Sequence, residues 1–178
     1  QFILMWGSTG TADGQFQQPS GIAVDSNGDV YVTDLGTTNR VQKFDSDGTF
    51  IKKWGSFGEG DGQFDYAYGI AVDASNNVYV TDGNNARVQK FTSGGIFISK
   101  WGTAGDFFLP RGIAVDGRGT VYVADSGHNK IQKFDASGNF LDDWGTQATT
   151  DGLLNSPFGI AVDACQNVFI SDNSYRSE

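Results

Sequence analysis

The sequence predicts an all-β protein built from repeated four-stranded antiparallel sheets. The pentapeptide Gly-Ile-Ala-Val-Asp occurs four times, at residues 21–25, 69–73, 112–116 and 159–163. The 178 residues include 25 glycines, 14 Phe, 6 Tyr and 4 Trp, so glycine is about twice as frequent as the average of roughly 7%. No window places apolar residues at the spacing of an amphipathic helix. The chain therefore turns often and packs aromatic rings between its turns.

The first repeat shows the strand pattern that the later repeats follow. Residues 21–25 form a short apolar run that ends in a cluster of turn-forming residues, and residues 30–33 are β-branched and aromatic. Residues 40–44 alternate between polar and apolar side chains, and residues 49–54 close the repeat at a tryptophan. Short strands joined by glycine-bearing turns indicate an antiparallel sheet. We name its four strands a, b, c and d.

A sheet of this size cannot bury both faces alone, so it must stack on its neighbours in a ring or a row. Strand a is the most apolar strand and contains the small residues Gly21 and Ala23, which suit a crowded central axis. Strand c is more polar, as expected nearer the rim. The repeats therefore predict a β-propeller whose axis is lined by the four strands a.

We expect residues 1–178 to form a single, partial propeller. The predicted parts are an outer strand of a preceding blade at 1–7, complete blades at 21–55, 69–102 and 112–145, and the first half of a further blade at 159–178. Strand c of that last blade is missing, so an open blade edge is expected to favour self-association. The expected explanation is a piece of a longer chain, and the alternative is a short chain that completes a ring with copies of itself.

The repeated motifs resemble the NHL repeat. Asp-Gly-Gln-Phe precedes the pentapeptide at 13–16 and 61–64, and Val-Gln-Lys-Phe follows it at 41–44 and 88–91. The chain departs from the family pattern at Ala67, where the other repeats have proline. The resemblance implies a β-propeller. It also implies a range of functions, because NHL propellers include RNA-binding and protein-binding modules, sensor domains of bacterial kinases and a peptide-amidating lyase.

Charge and composition narrow the classes of partner. The net charge of −9, from 12 basic and 21 acidic residues, makes nucleic acid an unlikely partner. No run approaches the roughly 18 apolar residues of a membrane helix, so no membrane span is expected in this segment. Single residues of cysteine (Cys165) and histidine (His128) exclude an internal disulfide and a Cys/His zinc set. The low lysine content and the acidic, Ser/Thr/Asn/Gly-rich surface predict an extracellular or cell-surface protein.

Charged residues recur at two fixed places in the repeat. An aspartate ends strand b, and a basic residue begins strand c. We predict a structural role, in which each aspartate orders its own b–c loop and pairs with the following cation; the alternative is a functional ring of charges. These positions are Asp34, Arg40, Asp82, Arg87, Asp125, Lys130 and Asp172.

Catalytic and metal-binding patterns are weak. Residues 25–29 resemble a calcium loop, but the segment is only as long as a hairpin turn and lacks a downstream bidentate glutamate. No serine, histidine and acid set is visible. The amidating lyase of the family uses histidine-ligated zinc, and His128 alone cannot supply that site. A lactonase-type site would need channel-facing carboxylates, for which the repeats offer Asp25, Asp73, Asp116 and Asp163. We expect no metal, no cofactor and no catalytic residue.

The d–a loops vary most between repeats, and in propellers they share one face with the b–c loops. Tyr68, Arg111 and Phe158 occupy one equivalent position, together with Ser20. The candidate contact residues are Tyr66, Tyr68, Phe108, Arg111, His128 and Phe158. The predicted function is a non-catalytic scaffold that presents these loops to a protein or another macromolecular partner. The alternatives are a metal-dependent lyase or lactonase-type enzyme and a structural subunit of an extracellular assembly.

Overall fold

A computed structural model describes residues 5–145 and 154–173. Its strands are β1 (Ser8–Thr9), β2 (Gln15–Phe16), β3 (Pro19–Val24), β4 (Val30–Asp34), β5 (Arg40–Phe44), β6 (Phe50–Trp54), β7 (Ala67–Val72), β8 (Val78–Asp82), β9 (Arg87–Phe91), β10 (Phe97–Trp101), β11 (Pro110–Val115), β12 (Val121–Asp125), β13 (Lys130–Phe134), β14 (Phe140–Trp144), β15 (Ile160–Val162) and β16 (Val168–Ile170). A 3-10 turn at Ser126–His128 is the only helical element in the described ranges.

The predicted all-β fold is confirmed. Strands β3–β6, β7–β10 and β11–β14 form three four-stranded antiparallel sheets, each with its strands in chain order, and β15 pairs with β16. These are the first, second, third and fourth blades. Strand a of the successive blades is β3, β7, β11 and β15, and strand d is β6, β10 and β14. Short turns suffice for these connections because each strand pairs with the next one in the chain.

Strands β3, β7 and β11 lie edge to edge around one axis because the third residue of each is a glycine. A Cβ atom added at Gly21 or Gly69 would overlap the carbonyl oxygen of Tyr68 or Arg111, respectively, in the next blade. Hydroxyl groups then link the blades: Thr33 Oγ1 donates to the carbonyl of Tyr68 at 2.8 Å, and Thr81 Oγ1 donates to that of Arg111 at 2.5 Å. Tyr68 and Arg111, each directly before the glycine of its strand, are thereby fixed beside the axis.

The core lies between the blades and is largely aromatic. Trp54 of the first blade packs against Phe91 of the second at a ring distance of 5.9 Å, and Trp101 packs against Phe134 of the third at 6.0 Å. Trp54 and Trp101 each lie over a glycine in the c–d turn of the next blade, as Trp54 does over Gly95. These two tryptophans therefore act as inter-blade packing residues.

The two ends of the chain differ from the complete blades. The outer strand predicted at 1–7 falls mostly outside the described residues; residues 5–7 are not in a strand, although Trp6 packs on Phe44 at 4.5 Å. Of the predicted half-blade at 159–178, residues 174–178 lie outside the described ranges. The open sides expose apolar residues: Ile22 on the first blade and Phe140 on the third are 66% and 57% exposed.

Candidate functional site

The d–a and b–c loops come together on one side of the propeller. Pro19, at the start of strand a, pairs with Asp34 at the end of strand b, and Asp34 pairs with Arg40 at the start of strand c. The loops that flank these residues therefore emerge on the same side, which we call the loop face. The a–b and c–d turns form the opposite side, the turn face. The described loop-face segments between the strands are 35–39, 55–66, 83–86, 102–109, 126–129 and 154–159.

Four of the six predicted contact residues form a continuous row on the loop face. The rings of Tyr66 and Tyr68 stack at a centroid distance of 5.6 Å. The Arg111 guanidinium carbon lies 5.5 Å from the ring centre of Tyr68 and 5.1 Å from that of Phe158. Each such cation–π contact contributes about 0.5–2 kcal/mol. We call Tyr66, Tyr68, Arg111 and Phe158 the aromatic row; it crosses the second, third and fourth blades.

The aromatic row borders the mouth of the central axis. Tyr68, Arg111 and Phe158 line a cavity of about 180 Å³ there, together with Ser20 and the glycine that follows each of these four positions in the sequence. Phe158 and Tyr66 are 45% and 42% exposed. The Arg111 guanidinium makes no hydrogen bond or ion pair within the described residues, and its Nε atom is buried without a partner. The row thus combines aromatic surface with an unpaired cation.

Phe108 and His128 lie apart from the row. Their ring centres are 6.0 Å from each other, and both line a separate cavity of about 330 Å³ with Leu109. His128 Nδ1 is 2.8 Å from Asp125 Oδ2, so its ring is held against the aspartate that ends strand b. Sequence equivalence places both residues on the loop face, but it gives no distance between neighbouring loops.

The Asp–Arg pairs of the first two blades hold the loops in place. Asp82 is fully buried and accepts hydrogen bonds from the Asp65 amide at 2.8 Å and from Arg87 Nε at 2.7 Å. The Nη atoms of Arg87 donate to the carbonyls of Glu59, Gly60 and Gln63 in the d–a loop. Burial raises the pKa of Asp82, although these donors act in the opposite direction. Arg40 and Asp34 make the corresponding contacts in the first blade.

The third blade departs from this pairing, so the prediction that Lys130 pairs with Asp125 is wrong. Lys130 Nζ instead lies 2.8 Å from Asp143 Oδ2 on strand d. Asp125 accepts hydrogen bonds from the Phe108 amide and from Gln132 Nε2. Lysine has a single terminal nitrogen and lacks the fork with which arginine reaches an aspartate and several carbonyls at once. In the fourth blade, Asp172 accepts a hydrogen bond from the Asn155 amide at 2.9 Å.

The aspartates that end the strands a serve the turn face. Asp73 Oδ1 accepts from the amides of Ser75 and Asn77 at 2.9 Å, and its Oδ2 accepts from the Tyr79 hydroxyl at 2.9 Å. Burial alone would raise the pKa of Asp73, but these hydrogen bonds outweigh it and lower the pKa. The calcium-like segment 25–29 has the same geometry, with Asp25 as the turn acceptor. The Oδ1 atom of Asp25 is therefore engaged in turn hydrogen bonds.

The described residues hold neither a cluster of metal-ligating side chains nor a membrane-spanning helix. Within 5–145 and 154–173, no group of three or more His, Cys, Asp or Glu side chains could hold a metal ion. The same ranges contain no helix that is both long and apolar enough to cross a membrane.

Comparison with known sequences identifies the repeats. The NHL repeat family matches residues 16–44, 64–91 and 109–134. The chain is 51% identical to Protein lin-41 of Caenorhabditis elegans over 49 residues, which are 28% of this chain and 4% of that protein. It is 44% identical to B-box type zinc finger protein ncl-1 of the same organism over 45 residues, 25% of this chain and 5% of that protein. The chain thus matches only a small fraction of the length of these relatives.

Comparison with solved structures gives the fold. Virginiamycin B lyase from Staphylococcus aureus superposes with a TM-score of 0.67 at 16% identity, over 88% of this chain and 49% of that one. A chain of a nidogen/laminin complex gives a TM-score of 0.64 at 21% identity, over 86% of this chain and 56% of that one. Both are β-propellers, and this chain spans about half of each. Three segments of the chain thus match the NHL repeat, and the succession of four-stranded sheets has the β-propeller fold.

Proposed function

We propose that this chain is a non-catalytic binding module whose loop face holds a protein partner through the aromatic row. The observation that carries the proposal is the row itself. A strict repeat places Ser20, Tyr68, Arg111 and Phe158 at one equivalent position, and the last three combine into one continuous surface. In this surface Phe158 is exposed, whereas Tyr68 and Arg111 are half-buried. Tyrosine and arginine are enriched among the residues that dominate protein–protein binding energy.

The row offers two kinds of contact to a partner. Its rings provide flat apolar area that a partner side chain can cover, and the guanidinium of Arg111 lacks an acceptor of its own among the described residues. A partner carboxylate or backbone carbonyl would supply that acceptor. The supporting backbone is the inner strand of each blade, so little conformational entropy is lost when the surface binds.

The test uses the residue that the first blade carries at this position. A random peptide library is selected on the wild-type chain, and the affinity of the enriched peptides is measured by calorimetry. The triple variant Tyr68→Ser, Arg111→Ser and Phe158→Ser should bind them at least about tenfold more weakly. Serine is compatible with the fold because Ser20 occupies the equivalent position.

A matched control variant removes exposed apolar surface elsewhere. Ile96 lies in a c–d turn and is 70% exposed, so Ile96→Ser should leave the affinity unchanged. Equal binding by the wild type and the triple variant would contradict the proposal, as would a library that yields no binding peptide.

The lyase or lactonase-type alternative is separated from this proposal by metal analysis of the purified chain. One tightly bound divalent ion per chain would support an enzyme and contradict a purely non-catalytic module. The structural likeness to virginiamycin B lyase supports the fold and carries no reaction to this chain. A location outside the cell, a role in an extracellular assembly and the exclusion of nucleic acid remain predictions from composition and charge.

A further inference from the structure

The d–a loop that precedes the third blade is four residues shorter than the loop that precedes the second blade. Between the glycine that follows strand d and the next phenylalanine it has only residues 103–106, whereas the equivalent stretches are 8–15 and 56–63. Beside this short loop lies an open cavity of about 370 Å³ between the second and third blades. Its apolar walls are the rings of Trp101, Phe107, Phe134 and Phe140. We call it the third-blade cavity.

In the second blade, an arginine of strand c and a lysine of strand d cover the position that is equivalent to the third-blade cavity. The guanidinium of Arg87 reaches into the d–a loop and donates to the carbonyls of Glu59, Gly60 and Gln63. Lys100, on strand d, then closes the outer side by pairing with Asp61 of the same loop at 2.6 Å. The repeat therefore places two cations against this part of a blade.

The third blade keeps one of these cations and replaces the other with an acid. Lys130 stands in place of the arginine, and Asp143 stands in place of the lysine on strand d, as the pairing of Gln89 with Lys100 and of Gln132 with Asp143 shows. Lys130 pairs with Asp143, which leaves the carboxylate of Asp106 at the cavity without a cation among the described residues. The balance of charge around the cavity is thus negative.

A hydrogen-bond acceptor that lines the same cavity also lacks the donor found in the first two blades. The side-chain oxygens of Gln42 and Gln89 accept from the amides of Gly14 and Gly62 at 3.0 and 2.9 Å. The short loop provides no equivalent amide. Gln132 is only 4% exposed and lines the cavity, yet its Oε1 has no donor in the described part of the chain. This oxygen is therefore open to the cavity, where it can accept a hydrogen bond from a ligand that brings an N–H group.

We propose that the third-blade cavity binds an arginine side chain of a basic peptide segment. A guanidinium is planar, stacks on aromatic faces and carries five N–H donors, which matches aromatic walls, the carboxylates of Asp106 and Asp143 and the free oxygen of Gln132. The bound group would restore the guanidinium that the repeat lost at Lys130 and the positive charge that it lost at Asp143. This site is on the outer part of the blades and is separate from the aromatic row.

The probe is the peptide acetyl-Gly-Arg-Gly-amide, with the citrulline peptide as its neutral isostere, and binding is measured by NMR titration of the full chain. The arginine peptide should bind at least about tenfold more tightly than the citrulline peptide, and added salt should weaken it. Equal binding of the two peptides, or no binding of the arginine peptide, would overturn the proposal.

Two substitutions restore the residues of the second blade. Lys130→Arg supplies the guanidinium from within the chain, and Asp143→Lys removes the carboxylate; each should weaken binding of the arginine peptide by about tenfold. Asp142→Lys is the matched control, because it makes the same charge change on the neighbouring residue, whose side chain points to the other face of the sheet. Circular dichroism verifies that all three variants fold. An equal loss of affinity in Asp142→Lys and Asp143→Lys would show that the effect comes from net charge alone, and it would overturn the proposed site.

Discussion

Each repeat contains two aspartates that end strands, and these two residues have different structural roles. Asp73 follows strand a and accepts hydrogen bonds from the amides of its own turn, whereas Asp82 ends strand b and anchors an arginine in the interior. Their pKa values shift in opposite directions: turn hydrogen bonds outweigh burial at Asp73, while burial outweighs the hydrogen bonds at Asp82. The chemistry of a repeated residue is therefore set by the element that it terminates.

The turn aspartates predict loss of stability in acid. Hydrogen bonds lower the pKa of six of them, which are Asp25, Asp45, Asp73, Asp116, Asp135 and Asp163. A carboxyl group whose pKa is lower in the folded chain stabilises it above the unfolded value, near pH 4, and loses this contribution as the pH falls through the folded value. Asp82, whose pKa is raised by burial, contributes with the opposite sign.

The melting temperature, followed by circular dichroism, should therefore be steady from neutral pH to about pH 5 and fall steeply below about pH 4. A melting temperature that is constant or rises between pH 5 and about pH 2.5 would show that these turn hydrogen bonds do not stabilise the fold.

The candidate site could be predicted from the sequence only in part. Repeat equivalence identifies Tyr68, Arg111 and Phe158 as one outward position, because four in-phase units reveal which place tolerates any side chain. The stacking of Arg111 between two rings depends on the distance between neighbouring blades. The length of the repeat does not predict that distance. The separation of His128 from this row likewise depends on its contact with Asp125.

At the scale of the element, a blade is a meander whose tryptophan lies over a glycine of the next blade. Gly95 has a φ of 78°, and a Cβ there would lie 2.6 Å from the Trp54 ring. Gly95→Ala should lower the free energy of unfolding by about 2–4 kcal/mol, because left-handed strain adds to overpacking. Chemical denaturation followed by tryptophan fluorescence measures this change.

The neighbouring glycine is the matched control for that substitution. A Cβ at Gly94 would come no closer than 3.7 Å to any atom outside its immediate neighbours, and its φ is not in the left-handed region. Gly94→Ala should therefore change the free energy of unfolding by no more than about 0.5 kcal/mol. Equal effects of the two substitutions would contradict the packing role of the c–d turn.

The strands themselves follow closely from the sequence, since strong alternation and glycine turns mark them. The observed strand a begins at Pro19 rather than at residue 21, because the pairing with β4 shifts register between Pro19 and Ile22. Such an irregularity has no clear sequence signal. The short parallel pair β1–β2 was also not predicted, since two residues in each strand are too few to show a period.

At the scale of the whole molecule, the blades hold the loops on one side and the turns on the other. The turn face is occupied by repeated hydrogen bonds within hairpins, while the loop face carries the residues that differ between repeats. The exposed apolar sides of the first and third blades are a separate surface, compatible with the self-association that the sequence predicts. The loop face is therefore the surface on which the residues that vary between the repeats are found.

The central claim, that the loop face binds a partner through the aromatic row, is tested most directly by mapping a bound peptide on the isotope-labelled chain by NMR. The largest amide shift changes should fall on Tyr66, Tyr68, Arg111 and Phe158, while the turn-face segment 73–77 should remain unchanged. Shift changes centred on the turn face, with the aromatic row unaffected, would contradict the proposed function.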